Sequence, residues 1–219
     1  MPGRTTKRVS ASSPGGHGIA EKSRASRQEL LRSRFPSLVD MTVLDLGGTP
    51  DWWRQHEVRP AEVTVVNLKG RRPPESWMTF VRGDACAPPA AVANRHFDLV
   101  FSNSLIEHVG GHHRRQELAD VVHALGDHHF VETPYRYFPM EPHWMFPGFQ
   151  FLPTATRSAI TRRWSRGHVK PAGADRHAAM ESVLTVELLP VAELAHYFPD
   201  STIVRERYCG LTKAIIAVR

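Results

Sequence analysis

A chain of 219 residues, 41% hydrophobic and 23% charged, is long enough to bury one sizeable core and has neither a collagenous nor a wholly disordered composition. The formal charge of +6 invites a nucleic-acid partner, but residues 1–34 carry eight basic and two acidic side chains, so the excess sits there and the rest is formally neutral. No apolar run approaches the roughly 18 residues of a membrane span and none follows the basic start as in a signal peptide, so the expectation is a cytoplasmic protein whose partners do not include nucleic acid.

Residues 1–27 are rich in Ser, Gly, Arg and Pro and show no sustained periodicity, which predicts a solvated basic tail ahead of a single domain over residues 28–219. A short helix fits Gln28–Phe35, ended by Pro36. Apolar runs then alternate with helical patterns, as in βαβ units. Strands are predicted at Thr42–Leu46, Glu62–Asn67, Met78–Arg82, Phe97–Ser102 and His128–Glu132. Helices are predicted at Asp51–Gln55, Pro88–Ala93 and His113–Leu125, where Leu118, Val121, Val122 and Leu125 share one face. Five prolines and many aromatics between Pro134 and Pro153, followed by a basic irregular stretch, predict a lid over residues 134–173. A helix over Pro190–Phe198 precedes two β-rich runs, Ser201–Tyr208 and Leu211–Val218, joined as a hairpin by Cys209-Gly210. The whole reads as an α/β fold, doubly wound, with a mostly parallel seven-stranded sheet and a C-terminal antiparallel hairpin. Two cysteines, Cys86 and Cys209, make neither a disulfide framework nor a metal-binding pair.

The richest segment is Val43-Leu44-Asp45-Leu46-Gly47-Gly48-Thr49-Pro50-Asp51. An apolar strand carries an acid near its end, and paired glycines then allow a tight turn and close backbone approach to a ligand at a helix start. Asn67 and Leu68 follow the second run, Gly83-Asp84-Ala85 the third, and the fourth reads Phe97-Asp98-Leu99-Val100-Phe101-Ser102-Asn103. In this order of segments, from Val43 to Arg219, the chain resembles the class I, Rossmann-like, S-adenosylmethionine-dependent methyltransferases. The resemblance implies S-adenosylmethionine as cofactor and S-adenosylhomocysteine as product. It assigns Asp45, Gly47 and Gly48 to the methionine part, Asn67 with Leu68 to the ribose side and Asp84 with Ala85 to the adenine, while Ser102 and Asn103 border the cofactor after the fourth strand. Two positions depart from the family pattern: Thr49 and Asp51 stand where glycines are usual, and Asn67 replaces an acid. A nicotinamide dehydrogenase, a nucleic-acid methyltransferase using the basic tail, and a binding module without turnover are the competing readings.

Family members that methylate base amines resemble one another in an Asn/Asp-Pro-Pro-Tyr motif after the fourth strand. Ser102-Asn103-Ser104-Leu105 stands here instead and favours an oxygen acceptor. Pro134-Tyr135-Arg136-Tyr137-Phe138-Pro139-Met140-Glu141-Pro142-His143-Trp144 follows the fifth strand, on the ligand-binding edge of such a sheet. Tyr135, Arg136, Glu141 and Trp144 are therefore candidate contacts to a small-molecule or saccharide acceptor. The run is similar to small actinobacterial methyltransferases and to those that methylate mannose polysaccharides in mycobacteria. His143, held between prolines, is the candidate base for an alcohol acceptor, with His108 second. His108, His112 and His113 lie close together, but no third ligand type is spaced with them, so no metal is expected. Glu107, Glu132 or Glu141 could offer oxygens to magnesium, though no spacing demands it. A homodimer is compatible with this reading.

Overall fold

The computed structural model describes residues 14–55, 57–73 and 75–219, in two units divided after Pro36. In the first, residues 14–27 are helical rather than an unstructured tail: helix α1 runs from Pro14 to Arg34 and absorbs the short helix expected at Gln28–Phe35. Its later turns hold good helix formers, and Glu29 and Arg32 pair three residues apart. The part of the expected tail over residues 1–13 lies outside the described residues.

The second unit is built on a seven-stranded sheet. Strands β1 (Thr42–Leu46), β2 (Glu62–Asn67), β3 (Met78–Arg82), β4 (Phe97–Asn103) and β5 (Gly126–Pro134) are parallel, and β8 (Thr202–Tyr208) and β9 (Leu211–Val218) add an antiparallel pair. The spatial order is β3-β2-β1-β4-β5-β9-β8. Val43, Leu44, Leu46, Val63, Val65, Val66, Leu99, Val100, Phe130 and Val131 are buried, as expected of strands covered on both faces. The tight turn between β8 and β9 uses Cys209 and Gly210, both at positive φ, the conformation a two-residue hairpin needs.

Helices α2 (Pro50–Arg54), α3 (Ala90–Ala93), α4 (His112–Leu125) and α7 (Val191–Tyr197) connect the strands. Gly126 ends α4 in an extended conformation and leads straight into β5; a Cβ there would meet Val100 at 2.5 Å. Because β1 to β5 are parallel and β1 and β4 sit side by side at the reversal of strand order, the loops after their C-terminal ends converge on one edge.

The expected lid is an ordered substructure. It holds a small hairpin of β6 (Met140–Glu141) and β7 (Phe146–Pro147), then α5 (Thr154–Thr161), with α6 (Arg176–Leu184) following. Trp144, Phe149, Val183, Val186 and Leu188 form its own core. Asp175 caps α6 by accepting from the amides of His177 and Ala178.

Candidate functional site

The chain leaves β1 through Gly47, at φ +79°, whose amide donates to the Val66 carbonyl at 2.8 Å. Above Gly47 a Cβ would strike Leu105 at 2.6 Å, and above Gly48 it would overlap the Asp45 carboxylate at 1.9 Å. The two glycines are thus required by packing within the chain itself. Asp45 is fully buried beneath this turn. Its Oδ2 accepts from Trp53 Nε1 at 2.8 Å, and its Oδ1 has no hydrogen-bond partner among the described residues. Burial pushes the carboxyl up to about 7, against the bonds from Trp53 and the Gly48 amide.

Asn67, at the end of β2, spends its amide on the turn: Nδ2 donates to the carbonyls of Gly47 and Gly48 at 2.7 and 2.9 Å, and Oδ1 accepts from the Lys69 amide at 3.2 Å. An acid at this position could not make the first two bonds, which gives a local reason for the departure from the family pattern. Leu68 next to it is 62% exposed. Asp84 accepts from the Cys86 amide at 3.0 Å and pairs with Arg114 at 2.5 Å. Partial burial works against its ionisation, but the Cys86 amide and Arg114 outweigh it and hold the carboxyl below its usual range. Ala85 is buried in the main core. Ser102 donates to the Leu46 carbonyl at 3.2 Å, tying β4 to β1, and Asn103 ends β4.

The loops after β4 and β5 bring together His108 and His143, 35 residues apart in sequence. Their Nε2 atoms lie 3.0 Å from each other, with the rings at 87°. Around them are three buried carboxylates, Glu107, Glu132 and Glu141. Glu141 Oε1 contacts His143 Nδ1 at 2.7 Å, and its Oε2 accepts from the Trp144 amide at 2.8 Å. Glu132 Oε2 accepts from Ser104 Oγ at 2.8 Å, and Glu107 Oε2 accepts from Thr133 Oγ1 at 2.9 Å. Glu107 Oε1 has no hydrogen bond among the described residues.

Burial and then the nearby Glu132 charge push Glu107 up to about 7. Burial and then His143 push His108 down to about 4. Burial also opposes the charge on His143, but the bond to Glu141 and the surrounding carboxylates raise its pKa. Glu107 Oε1 and the two Nε2 atoms all lie within 4.8 Å of one another, so they could hold a metal ion. The histidines read beside His108 in sequence go elsewhere: His112 Nδ1 meets Tyr197 Oη at 2.9 Å, and His113 pairs with Glu117.

A cleft of about 320 Å³ opens beside this cluster, bordered by Glu141, Trp144, Arg136, Arg115, Arg157 and Glu187 among others. Of the four residues read as acceptor contacts, Arg136 is exposed there. Glu141 borders the cleft with both oxygens engaged, so it supports His143 rather than facing outward. Trp144 also borders it, but its ring stacks on Phe149 at 4.2 Å and its Nε1 donates to Thr161 at 2.9 Å, which makes it a core residue of the lid. Tyr135 packs against the main core and its ring meets Tyr137 edge-on at 5.5 Å. Arg115, buried between Glu187 and Glu193, and half-buried Arg157 were not foreseen. Arg115 lies on the α4 face that carries Leu118 and Val122, and an arginine in that stripe is the signal that could have pointed to it.

No family model matches the chain, and no curated protein does. Solved structures share its fold. A complex of DhpI with S-adenosylhomocysteine aligns over 91% of this chain and 85% of its own, at 14% identity and a TM-score of 0.55. An S-adenosylmethionine-dependent methyltransferase from Mesorhizobium loti aligns over 87% and 95%, at 15% identity and 0.52. The magnesium protoporphyrin IX methyltransferase ChlM from Synechocystis PCC 6803, with bound S-adenosylhomocysteine, aligns over 98% and 90%, at 10% identity and 0.54. The α/β fold with its mostly parallel sheet and C-terminal antiparallel pair is thus one that methyltransferases use.

Proposed function

We propose that the chain is an S-adenosylmethionine-dependent methyltransferase that methylates a hydroxyl oxygen of a saccharide or another small metabolite. One observation carries the reading: the glycine turn after β1 and the paired histidines after β4 and β5 lie on the same edge of a sheet ordered β3-β2-β1-β4-β5-β9-β8. The residues at that edge fit the cofactor. A buried carboxyl whose Oδ1 has no hydrogen-bond partner among the described residues lies beneath the turn after β1, and Leu68 offers an exposed apolar side chain where the second strand ends.

When bound, S-adenosylmethionine supplies an electrophilic methyl group on a sulfonium. The protein's share of the work is to position the acceptor and remove its proton. Glu141 accepts the Nδ1 hydrogen of His143, which leaves Nε2, facing His108 Nε2 at 3.0 Å, as the atom that would take a proton from an acceptor hydroxyl. The cleft bordered by Arg136 and Glu141 would hold the rest of the acceptor. The histidine pair, with no Asn/Asp-Pro-Pro-Tyr motif beside it, supports an oxygen rather than a base-amine acceptor.

Calorimetric titration with S-adenosylmethionine tests the reading directly: saturable binding is expected. A protein that shows no binding is not a methyltransferase of this class. Turnover on an acceptor found by screening with labelled cofactor should fall about 10²–10⁴-fold in His143→Ala while cofactor affinity holds. Near-normal turnover would move the base to His108.

A further inference from the structure

We infer that Glu107, His108 and His143 form a binding site for one divalent transition-metal ion of the zinc type. His143 Nδ1 faces the Glu141 carboxylate at 2.7 Å and so carries the hydrogen, leaving a lone pair on Nε2. His108 Nε2 faces His143 Nε2 at 3.0 Å, so the pair either shares one proton or, with both nitrogens deprotonated, offers two lone pairs to one ion. The third group is Glu107 Oε1, buried, without a hydrogen bond among the described residues and 3.8 Å from His108 Nε2, too far for one.

A proton between the imidazoles would reconcile two of these three acceptors and leave the carboxylate oxygen unmet. A metal ion meets all three. Ligands about 2.1 Å from a tetrahedral ion stand about 3.4 Å apart, a spacing that the 3.0 and 3.8 Å separations bracket. Two imidazole nitrogens and one carboxylate oxygen suit zinc, cobalt or iron rather than magnesium or calcium. Two of the ligands also have a partner behind them that fixes their direction: Glu141 behind His143, and Thr133 on the second oxygen of Glu107. Three protein ligands leave positions open for water or another oxygen ligand. The metal-free chain has a base at His143 Nε2; the loaded chain has a Lewis acid there that would acidify a coordinated hydroxyl, whose proton leaves to water.

The site is read on the protein alone, so its test is separate from that of the methyltransferase reading. Chelator-treated, desalted full-length protein is titrated with Co²⁺, followed by visible absorption, and with Zn²⁺ by calorimetry, with no cofactor or acceptor present. One equivalent should bind, with the intense visible bands of a four- or five-coordinate cobalt site. His108→Ala and His143→Ala should lose those bands, Glu107→Gln should bind at least about 10-fold more weakly, and Glu141→Gln about 10–100-fold more weakly. His123→Ala, a histidine on α4 outside the cluster, should bind as the wild type does. His108 is 38% exposed, so its truncation leaves a folded protein in which the test can be read. Absence of the bands overturns the inference, as does wild-type affinity and stoichiometry in His108→Ala and His143→Ala, which would show that other histidines bind the ion. Zinc binding without S-adenosylmethionine binding would keep the site and remove the methyltransferase reading, and the reverse would do the opposite.

Discussion

Asp45 concentrates the problem of placing an acid under a backbone turn. It is fully buried, one oxygen bonds Trp53, the other has no hydrogen-bond partner among the described residues, and its carboxyl sits at about 7 instead of 3.8. Folding therefore binds a proton between those two values. The stabilisation is fully present below about pH 4 and is lost as pH rises through about 7. Asp45→Asn keeps an oxygen for Trp53 and cannot ionise, so its stability should be flatter over pH 4–7 than that of the wild type. Urea melts of both proteins at pH 4, 5.5 and 7 check this. Parallel profiles would mean that the acid is charged in the folded chain and finds a partner that the ligand-free geometry does not provide.

At the scale of elements, Asn67 links β2 to the turn after β1, since one amide group donates to two carbonyls. Asn67→Asp would aim an acceptor at both. The expected loss is about 1–3 kcal/mol, the cost of a disrupted buried polar contact, measured as a lower midpoint in urea with an unchanged slope. Equal stability would show that the turn holds itself. The position also marks how far the sequence could be read. The strand itself was legible because four central residues, Val63 to Val66, are buried on both faces and bounded by polar ends. The same pattern disclosed β1, β4 and β9. What Asn67 touches was not legible, because the direction of a side chain depends on a loop 20 residues away. The histidine cluster was half legible: position after β4 and β5 singled out His108 and His143, but nothing in the spacing said that their rings meet or that Glu107 is buried against them. The hairpin of β6 and β7 and helices α5 and α6 escaped for another reason. Their order comes from the aromatic core around Trp144 and Phe149, not from a period of 2 or 3.6 along the chain.

Across the whole sheet, the junction between the parallel strands and the C-terminal pair is where acid should act. His129 lies in β5, fully buried, at the last paired residues of β9: its amide donates to the Arg219 carbonyl at 3.2 Å and its carbonyl accepts from the Arg219 amide at 3.1 Å. Its Nε2 contacts Ser201 Oγ at 2.6 Å, just ahead of β8, and its ring lies 5.2 Å from that of Phe198. Burial, and then the neighbouring His123, Arg219 and His128, push its pKa down to about 3 from 6.5. The unfolded chain therefore takes up a proton that the folded chain refuses. The resulting stability is present above about pH 6.5 and is lost as pH falls toward 3, by up to about 1.4 kcal/mol for each pH unit. Carboxyls raised by burial, such as Asp45 and Glu107, act in the opposite sense, so the wild-type curve alone cannot isolate the histidine. The comparison with His129→Gln does. Glutamine can still reach Ser201 with a polar group and has no proton to gain, so the variant is expected to be less stable than the wild type at pH 7 and to close that gap as pH falls to 4. Circular-dichroism melts at half-unit intervals would follow the difference, and a gap that stays constant across the window would mean that His129 takes up its proton in the folded sheet at the same pH as in the unfolded chain.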